Sequence, residues 1–266
     1  MRDFLMNIIE MLESAPLFVR VALLGALPAF LTFVGTFPVM YRKSLDKKFI
    51  DVGMGFSAGI MLVASFTSLL IPATELGGML IVILGFIFGV ILIFFIDKLV
   101  PHEHLIKGYE GLKKFGKIHR KTLLIALAMI VHNIPEGMAV GIAAIHDISG
   151  GLILAVAIGL QDIPEGLAVA IPVYASIGKK GYAMFVGGLS GLFELFAAFI
   201  PFVFVMAYHN AIGSMMSFLM ALAAGAMVYV VIHEIIPEIY GHGYDDQSTL
   251  GFFIGFILML LLDSLL

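Results

Sequence analysis

Long apolar runs separated by short polar stretches set the organisation of this chain. A membrane-spanning helix needs about 20 mostly apolar residues. Runs of that kind cover, approximately, residues 17–40, 50–73, 79–97, 121–145, 149–173, 181–208, 212–236 and 248–266. The segment before them carries acids at Asp3, Glu10 and Glu13, which favours a short amphipathic helix at the interface over a cleaved signal peptide. The pattern predicts an all-α integral membrane protein with eight spans, forming one transmembrane domain over residues 1–266.

The composition supports a lipid environment. The 266 residues are 61% hydrophobic and 13% charged, with a mean hydropathy of +1.08, whereas soluble domains have about 45–50% apolar and about 25% charged residues. The small net charge of -4 suggests no nucleic-acid partner. Because the chain has no Cys, disulfides, thiolate nucleophiles and thiolate metal sites are excluded. Any metal site must therefore use His, Asp, Glu, Asn, Gln or Met.

The basic residues predict the orientation. Of the 15 Lys and Arg, all but Arg2 and Arg20 lie in or beside the connections between spans one and two, three and four, and five and six. These connections share one side of an eight-span bundle, and the longest of them is the polar loop 98–120. The positive-inside rule places this side in the cytoplasm and both termini outside it. We therefore expect a multi-pass protein of the cell (inner) membrane.

Acidic residues lie inside the predicted spans without basic partners. Spans four to seven contain Glu136, Asp162, Glu165, Glu194 and Glu234, yet residues 123–177 and 181–266 contain no Lys or Arg. A carboxylate in hydrocarbon is costly unless it is paired, protonated or bound to a metal. Since ordinary ion pairs are excluded, the acids indicate either a cation site or a proton path.

A duplicated motif carries the first three of these acids. Residues 132–140 read HNIPEGMAV and residues 161–169 read QDIPEGLAV, with six of nine positions identical. In adjacent antiparallel spans this repetition indicates an inverted pair, the arrangement in which transporters commonly build ion sites. The first residue and the glutamate of each copy are four apart, so they share one helix face. The prolines spare the carbonyls of residues 131 and 160 a backbone hydrogen bond, and the following glycines permit close helix contact.

Two facing copies would combine ligands of three kinds. The candidate set is His132, Asn133, Glu136, Gln161, Asp162 and Glu165, with Glu194 added from span six. Imidazole together with carboxylate and amide oxygen suits zinc, iron, manganese or cadmium better than sodium or potassium. The spacing is compatible with one ion shared by these ligands and with two ions bridged by Glu136 and Glu165.

At these motifs the chain resembles the ZIP (Zrt/Irt-like) divalent metal transporter family, closest to its GufA-like prokaryotic branch. The resemblance implies a 3+2+3 inverted-repeat bundle, a binuclear transport site lined by the seven residues above, and uptake of metal into the cytoplasm. It also implies a homodimer and elevator-type alternating access, in which a bundle containing spans four and five slides. Many family members have His at the position of Gln161, so the metal preference stays open.

The resemblance singles out further positions. Met61, Ser68 and Glu75 recur every seven residues along span two and match the family's pathway helix, although core packing and a solvated span end explain them equally well. In the 98–120 loop, His102 and His104 match the family's metal-binding loop, against the alternative of a solvated polar segment. Finally, His233 and Glu234 match the exit position of span seven.

Two other classes of function compete with a metal carrier. An intramembrane metal-dependent hydrolase would need an open metal position and a general base, as in His-Glu-x-x-His, and the chain contains no such motif. A proton-coupled carrier of another solute would explain the buried acids, but not their His, Asn and Gln neighbours. We therefore predict a carrier and not an enzyme. Its cargo is a divalent metal, zinc foremost and cadmium, iron or manganese as alternatives, with no separate cofactor.

Overall fold

The computed structural model describes residues 2–41, 46–99, 102–104, 108–110, 119–207 and 212–264. Side chains are described for all of these residues except 2–5, 102–104, 108–110, 119–126, 128–129 and 212. Helices account for most of these residues. They are α1 (Arg2–Ser14), α2 (Leu17–Gly35), α3 (Lys47–Ala64), α4 (Ile71–Gly77), α5 (Met79–Leu99), α6 (His119–His146), α7 (Ile148–Ile177), α8 (Lys180–Ala207), α9 (Ile212–Val230), α10 (Ile236–Ile239) and α11 (Asp245–Asp263). A short 3-10 helix, Phe37–Met40, extends α2.

Seven helical segments of the described chain are long and apolar enough to cross a membrane. They are Leu17–Met40, Lys47–Gly77, Met79–Leu99, Ile148–Ile177, Lys180–Ala207, Gly213–Ile239 and Asp245–Asp263. Each coincides with a span that the hydrophobic pattern predicts. The remaining predicted span, 121–145, falls on α6, which is 28 residues long but is not among the seven. A multi-pass helical protein is thus confirmed, while the count of eight spans stays a prediction.

A small hairpin departs from the predicted all-α structure. Between α5 and α6, strand β1 (His102–His104) pairs antiparallel with strand β2 (Gly108–Glu110), and His102 lies opposite Glu110. The hairpin falls within the predicted polar loop 98–120. The side chains of His102 and His104 lie outside the described ones, so their predicted metal role stays a prediction.

The N-terminal segment forms a separate amphipathic helix, as predicted. In α1, Ile9 and Leu12 are buried against the bundle. Arg20, in the first turns of α2, donates from its guanidinium group to the backbone carbonyls of Glu13 and Ala15. This basic side chain therefore satisfies the C-terminal carbonyls of α1.

The long helices pack in two groups of four. α2, α6, α7 and α8 form one group, and α3, α5, α9 and α11 form the other. Inside each group, glycines let backbones touch. A Cβ at Gly137 of α6 would lie 2.0 Å from the carbonyl oxygen of Glu194 in α8, and one at Gly89 of α5 would lie 2.0 Å from that of Leu222 in α9. Because small residues permit such approach, each group is held by close van der Waals packing.

The two groups meet less tightly. A partly open cavity of about 710 Å³, lined by apolar side chains, lies between α5 and α9 on one side and α6 and α8 on the other, and α6 contacts α9 beside it. The contact is closer between α3 and α7, where a Cβ at Gly53 would lie 2.6 Å from the Cβ of Pro164. At the same junction the Ser57 hydroxyl donates to the backbone carbonyl of Gln161 at 2.9 Å.

Two helices contain a wide π-helical turn next to a proline. Ser65–Leu70 joins α3 to α4, and Val231–Ile235 joins α9 to α10. Pro72 and Pro237 follow these turns, and neither can donate to the carbonyl four residues before it. A wider turn re-satisfies the backbone at such a point, and π turns in helices often mark functional sites.

Candidate metal site

Three carboxylates meet between α6 and α7. Glu136, Asp162 and Glu165 each place one oxygen within 4.8 Å of the others. Their exposed fractions are 0%, 0% and 2%. The structure thus brings together the acids of both copies of the duplicated motif, near the middle of the two helices.

The connection between α6 and α7 explains why the two copies face each other. Asp147 is the single residue between the helices, and its carboxylate accepts a hydrogen bond from the backbone N–H of Gly150 at 2.6 Å. This caps the N-terminus of α7. A Cβ at Gly151 would lie 2.9 Å from the backbone nitrogen of Ala144. The one-residue turn and this close approach make α6 and α7 an antiparallel pair whose motifs lie at similar depth.

The polar residues of the motif complete the cluster. Gln161 donates from Nε2 to Oε1 of Glu136, which joins the two copies directly. Asn133 is 1% exposed, and its Oδ1 has no hydrogen-bond partner among the described residues. His132 is also buried. The hydrogen bond to Glu136 therefore orients the side-chain amide of Gln161. The amide oxygen of Gln161 stays available to bind another group.

Glu194 joins the cluster from α8. It is fully buried, and it interacts electrostatically with Glu136, Asp162 and Glu165. The contact of Gly137 with the Glu194 carbonyl sets the spacing of α6 and α8 at this level. All seven residues of the predicted ligand set thus lie buried on three adjoining helices.

Asp162, Glu165 and Glu194 lack, among the described residues, the hydrogen bonds that buried acids normally have. The nearby hydroxyl of Thr32 donates to the carbonyl of Pro28, and that of Ser57 donates to the carbonyl of Gln161, both at 2.9 Å. Within the described part of the chain, neither oxygen of Asp162, nor of Glu165, accepts a hydrogen bond. Buried polar groups without partners are uncommon and call for an explanation such as an ion.

Helix α3, which belongs to the other helix group, borders the carboxylate cluster on one side. Ser57 of α3 contacts this region through its hydrogen bond to Gln161. Met61 lies one turn further along the same face and is fully buried. Sequence reasoning predicted Met61 and missed Ser57, because a serine in an apolar span is usually satisfied by its own helix.

A second group of potential ligands lies at the end of the bundle where α5 and α9 terminate. Asp97, His233 and Glu234 each place one atom within 4.8 Å of the others. His233 Nε2 is 3.6 Å from an oxygen of Asp97 and 3.8 Å from one of Glu234. The hydroxyl of Tyr229 donates to Asp97 at 3.4 Å. This cluster therefore combines an imidazole with two buried carboxylates.

Glu234 connects the two groups of ligands. One of its oxygens is 4.0 Å from Nε2 of His132, while the other lies near His233. The side chain of His233 is 39% exposed, so the second cluster reaches the surface. Asp97 was missed by sequence reasoning because an acid beside Lys98 at a span end looks like an ordinary solvated pair.

The remaining predicted residues lie elsewhere. Ser68, in the first π turn, donates to Oδ1 of Asp263 at 3.4 Å, at the far end of α11. Glu75 is exposed on α4. The described contacts do not bring Ser68 or Glu75 to the carboxylates, and their role along a pathway stays a prediction.

Span-length apolar helices around a buried, acid-rich cluster define a multi-pass membrane protein equipped to bind a cation. The comparison with known families then gives the particular family: the model described as ZIP zinc transporter matches residues 101–263. The chain belongs to the ZIP zinc transporter family.

Curated relatives cover most of the chain. It is 37% identical over 260 residues to the zinc transporter ZIPB of Bordetella bronchiseptica, an alignment that covers 92% of this chain and 81% of the relative. It is 34% identical over 249 residues to the zinc transporter ZupT of Streptococcus mutans, covering 89% and 94%. It is 36% identical over 242 residues to the zinc transporter GufA of Myxococcus xanthus, covering 87% and 93%. The family resemblance and the predicted class, a metal transporter and not an enzyme, are confirmed.

Proposed function

We propose that this chain carries divalent transition metal ions, zinc foremost, across the cell membrane through the buried site between α6 and α7. The observation that carries this proposal is the meeting of Glu136, Asp162 and Glu165 within 4.8 Å, buried and without a basic partner among the described residues. A divalent cation neutralises such a cluster and supplies the missing contacts of its oxygens. The names of the relatives, all zinc transporters, favour zinc; cadmium, iron and manganese suit the same ligands.

The ligand set supports two ions. Glu136 and Glu165 are the carboxylates positioned to bridge them, because they occupy the equivalent place in the two motif copies. His132 and Gln161 would complete the coordination of one ion, with Met61 beside it. Asn133, Asp162 and Glu194 would complete the coordination of the other ion. Nitrogen and oxygen donors of this kind match zinc coordination, which is commonly four-coordinate.

The second cluster provides an exit. An ion leaving the central site passes from His132 to Glu234, which lies 4.0 Å away, and then to His233 and Asp97. Since the side chain of His233 is 39% exposed, this route ends at the surface of the protein. In the proposed topology that end faces the cytoplasm, so the route carries uptake.

The packing supports elevator-type movement. The seven ligands of the central set lie on α6, α7 and α8, which form one group with α2, whereas Met61 lies on α3 in the other group. Backbone contacts through glycine hold each group together, while an apolar cavity of about 710 Å³ lies between them. If the group formed by α2, α6, α7 and α8 slid along α3 and α9, the metal would move with it. The metal would keep most of its ligands during this movement.

The same proposal includes the orientation and assembly implied by the sequence. The loop 98–120 and the other basic connections lie in the cytoplasm, both termini lie outside it, and the protein works as a homodimer in the inner membrane. Eight spans, with α6 as the fourth, are required for this arrangement.

Uptake of radioactive zinc into proteoliposomes tests the proposal. Glu136→Ala and Glu165→Ala each remove a bridging carboxylate, so zinc uptake falls to the level of protein-free vesicles. Glu13→Ala is the matched control, because Glu13 is an exposed carboxylate on α1, and it keeps normal uptake. Folding is checked by elution as a single species in detergent. Unchanged uptake in both site variants would exclude the mechanism.

A variant at the exit separates binding from release. Asp97→Asn removes one charge from the second cluster but leaves the central carboxylates intact. We expect normal zinc affinity with slower uptake, seen as a lower maximal rate at saturating zinc. A wild-type rate would remove Asp97 from the route.

A further inference from the structure

An apolar groove runs along the outer surface between α2 and α8. Its volume is about 390 Å³, and all the side chains that line it are apolar. Small residues, Ala29 and Gly188, form its floor, and the rings of Phe30, Phe33 and Phe185 form its walls. A Cβ at Gly188 would lie 2.8 Å from the ring of Phe33, so the absence of a side chain at Gly188 lets this ring pack directly on α8.

The groove has the length of one leaflet of a bilayer. Along α8 its lining begins at Met184 and ends at Leu195. At 1.5 Å per residue this is about 17 Å, close to half of the roughly 30 Å hydrocarbon core. A groove of this length and composition fits an extended acyl chain.

Positive charge lies at one end of the groove. Lys180 is one turn before Met184, and its ammonium group donates to the carbonyl of Met40 at 2.5 Å, which ties α8 to the end of α2. An ammonium group has three donors, so it retains two for another acceptor. Lys179 is exposed beside it.

The part of the groove nearest Lys180 has no opposing charge. Residues 14–45 and 166–193, which include every lining residue except Leu195, contain no Asp or Glu, and Glu194, next to Leu195, is fully buried. The basic end of an otherwise apolar groove therefore complements an anionic headgroup. Lysines near a membrane surface attract anionic lipid in this way.

We propose that the α2–α8 groove is a binding site for an anionic phospholipid. One acyl chain lies along the groove against the rings of Phe30 and Phe185, and the phosphate contacts Lys179 and Lys180. In the proposed topology the lipid belongs to the cytoplasmic leaflet. Because both helices belong to the group that carries the metal ligands, the bound lipid travels with that group. The site itself does not depend on transport.

The lack of Trp in the chain makes the site measurable. A Phe33→Trp reporter is reconstituted in phosphatidylcholine vesicles containing a small fraction of brominated phosphatidylglycerol or, separately, brominated phosphatidylcholine. Bound brominated lipid quenches the fluorescence of a nearby Trp. We expect stronger quenching by the anionic lipid at equal mole fraction. A Phe253→Trp reporter on the exposed face of α11 is the control and shows no preference.

Charge variants test the headgroup contact. Lys179→Gln with Lys180→Gln reduces the preference of the Phe33→Trp reporter for the anionic lipid by roughly fivefold for each lysine removed. Lys98→Gln, which removes an exposed lysine above the ring of Phe94 on α5, leaves the preference unchanged. An equal preference in both reporters, or one that survives the double lysine variant, would show ordinary annular lipid and overturn the proposal.

A filled groove tests the acyl-chain contact. Ala26→Phe places a ring in the groove and lowers quenching by the anionic lipid at low mole fraction, while Leu23→Phe, on the exposed face of the same helix, does not. Equal quenching in these two variants also counts against the site. If Ala26→Phe does not fold, the lysine variants decide the question alone.

Discussion

The contact between Gly137 and Glu194 allows the ligand geometry to be tested without changing any ligand. Gly137 follows Glu136 in the motif, and a Cβ at this position would lie 2.0 Å from the Glu194 carbonyl oxygen and 2.9 Å from the Cβ of Ala197. Both contacts are with α8. The substitution Gly137→Ala therefore forces α6 and α8 apart at the level of the metal site.

The required displacement is large for a metal site. Ordinary van der Waals contact begins near 3.4 Å, so the Cβ at 2.0 Å demands local separation of more than 1 Å. Zinc binds carboxylate oxygen at about 2.0–2.2 Å, so a displacement of that size would take Glu194 out of the coordination proposed for it. Overpacking costs about 1–3 kcal/mol, and disturbing the support of a metal ligand weakens affinity by about 10–100-fold.

We expect Gly137→Ala to weaken zinc binding by at least about tenfold, to lower the temperature of unfolding and to slow uptake. Isothermal titration calorimetry measures affinity, and thermal unfolding in detergent measures stability. Gly181→Ala on α8 is the matched control, since its Cβ would meet nothing within 4 Å. Alanine is favoured over glycine in helices by about 0.8–1.0 kcal/mol, so this control keeps or gains stability. Wild-type affinity in Gly137→Ala would refute the inferred role of α8.

Two further predictions concern metal preference and movement. Gln161→His replaces a proposed amide ligand with imidazole, so zinc retained after dialysis against a zinc and manganese mixture rises relative to manganese. An unchanged ratio would contradict the proposed role of this side chain as a ligand. Met138→Cys with Leu219→Cys places one thiol on each helix group across the apolar cavity, and a short bifunctional thiol reagent then stops zinc uptake. In the control pair, Gly25→Cys with Ala198→Cys, the two Cβ positions are 3.0 Å apart, and the disulfide formed on oxidation joins α2 to α8 inside one group. This pair keeps its zinc uptake after oxidation. Loss of uptake in both pairs would argue against sliding groups.

Much of the fold could be predicted because lipid leaves few alternatives. A chain in hydrocarbon must satisfy its backbone internally, so each long apolar run predicts a helix. The ends are less predictable, since helices continue past the hydrocarbon: the second span reaches Gly77, beyond the expected end at 73. Pro72 and Pro237 each leave a carbonyl without its helical donor, but the choice between a kink and a π turn depends on neighbouring helices.

The candidate site was predictable where it depends on local spacing. The interval of four between His132 and Glu136 places them on one face, and the duplication predicts the facing copy. Asp97 was not predictable, because its approach to His233 depends on how closely α5 packs on α9. That distance is set by tertiary contacts such as Gly89 against Leu222.

The two π turns correspond to each other in the same inverted way as the two copies of the duplicated motif. Ser68 is four residues before Pro72 and His233 is four residues before Pro237, so both occupy the same place in a π turn whose carbonyl the proline leaves free. In a 3+2+3 repeat the second and seventh spans correspond, and these positions then lie on opposite sides of the central site.

Their chemistry is unequal. Ser68 offers a neutral hydroxyl that is bound to Asp263, whereas His233 stands with Asp97 and Glu234 in a cluster of ligand atoms. Imidazole and carboxylate hold transition metals, and a neutral hydroxyl does so weakly. An ion at the central carboxylates therefore meets competing ligands mainly on the His233 side. In the proposed topology the His233 side is the cytoplasmic side, so the two ends of the proposed pathway differ in residues that the inverted repeat does not share.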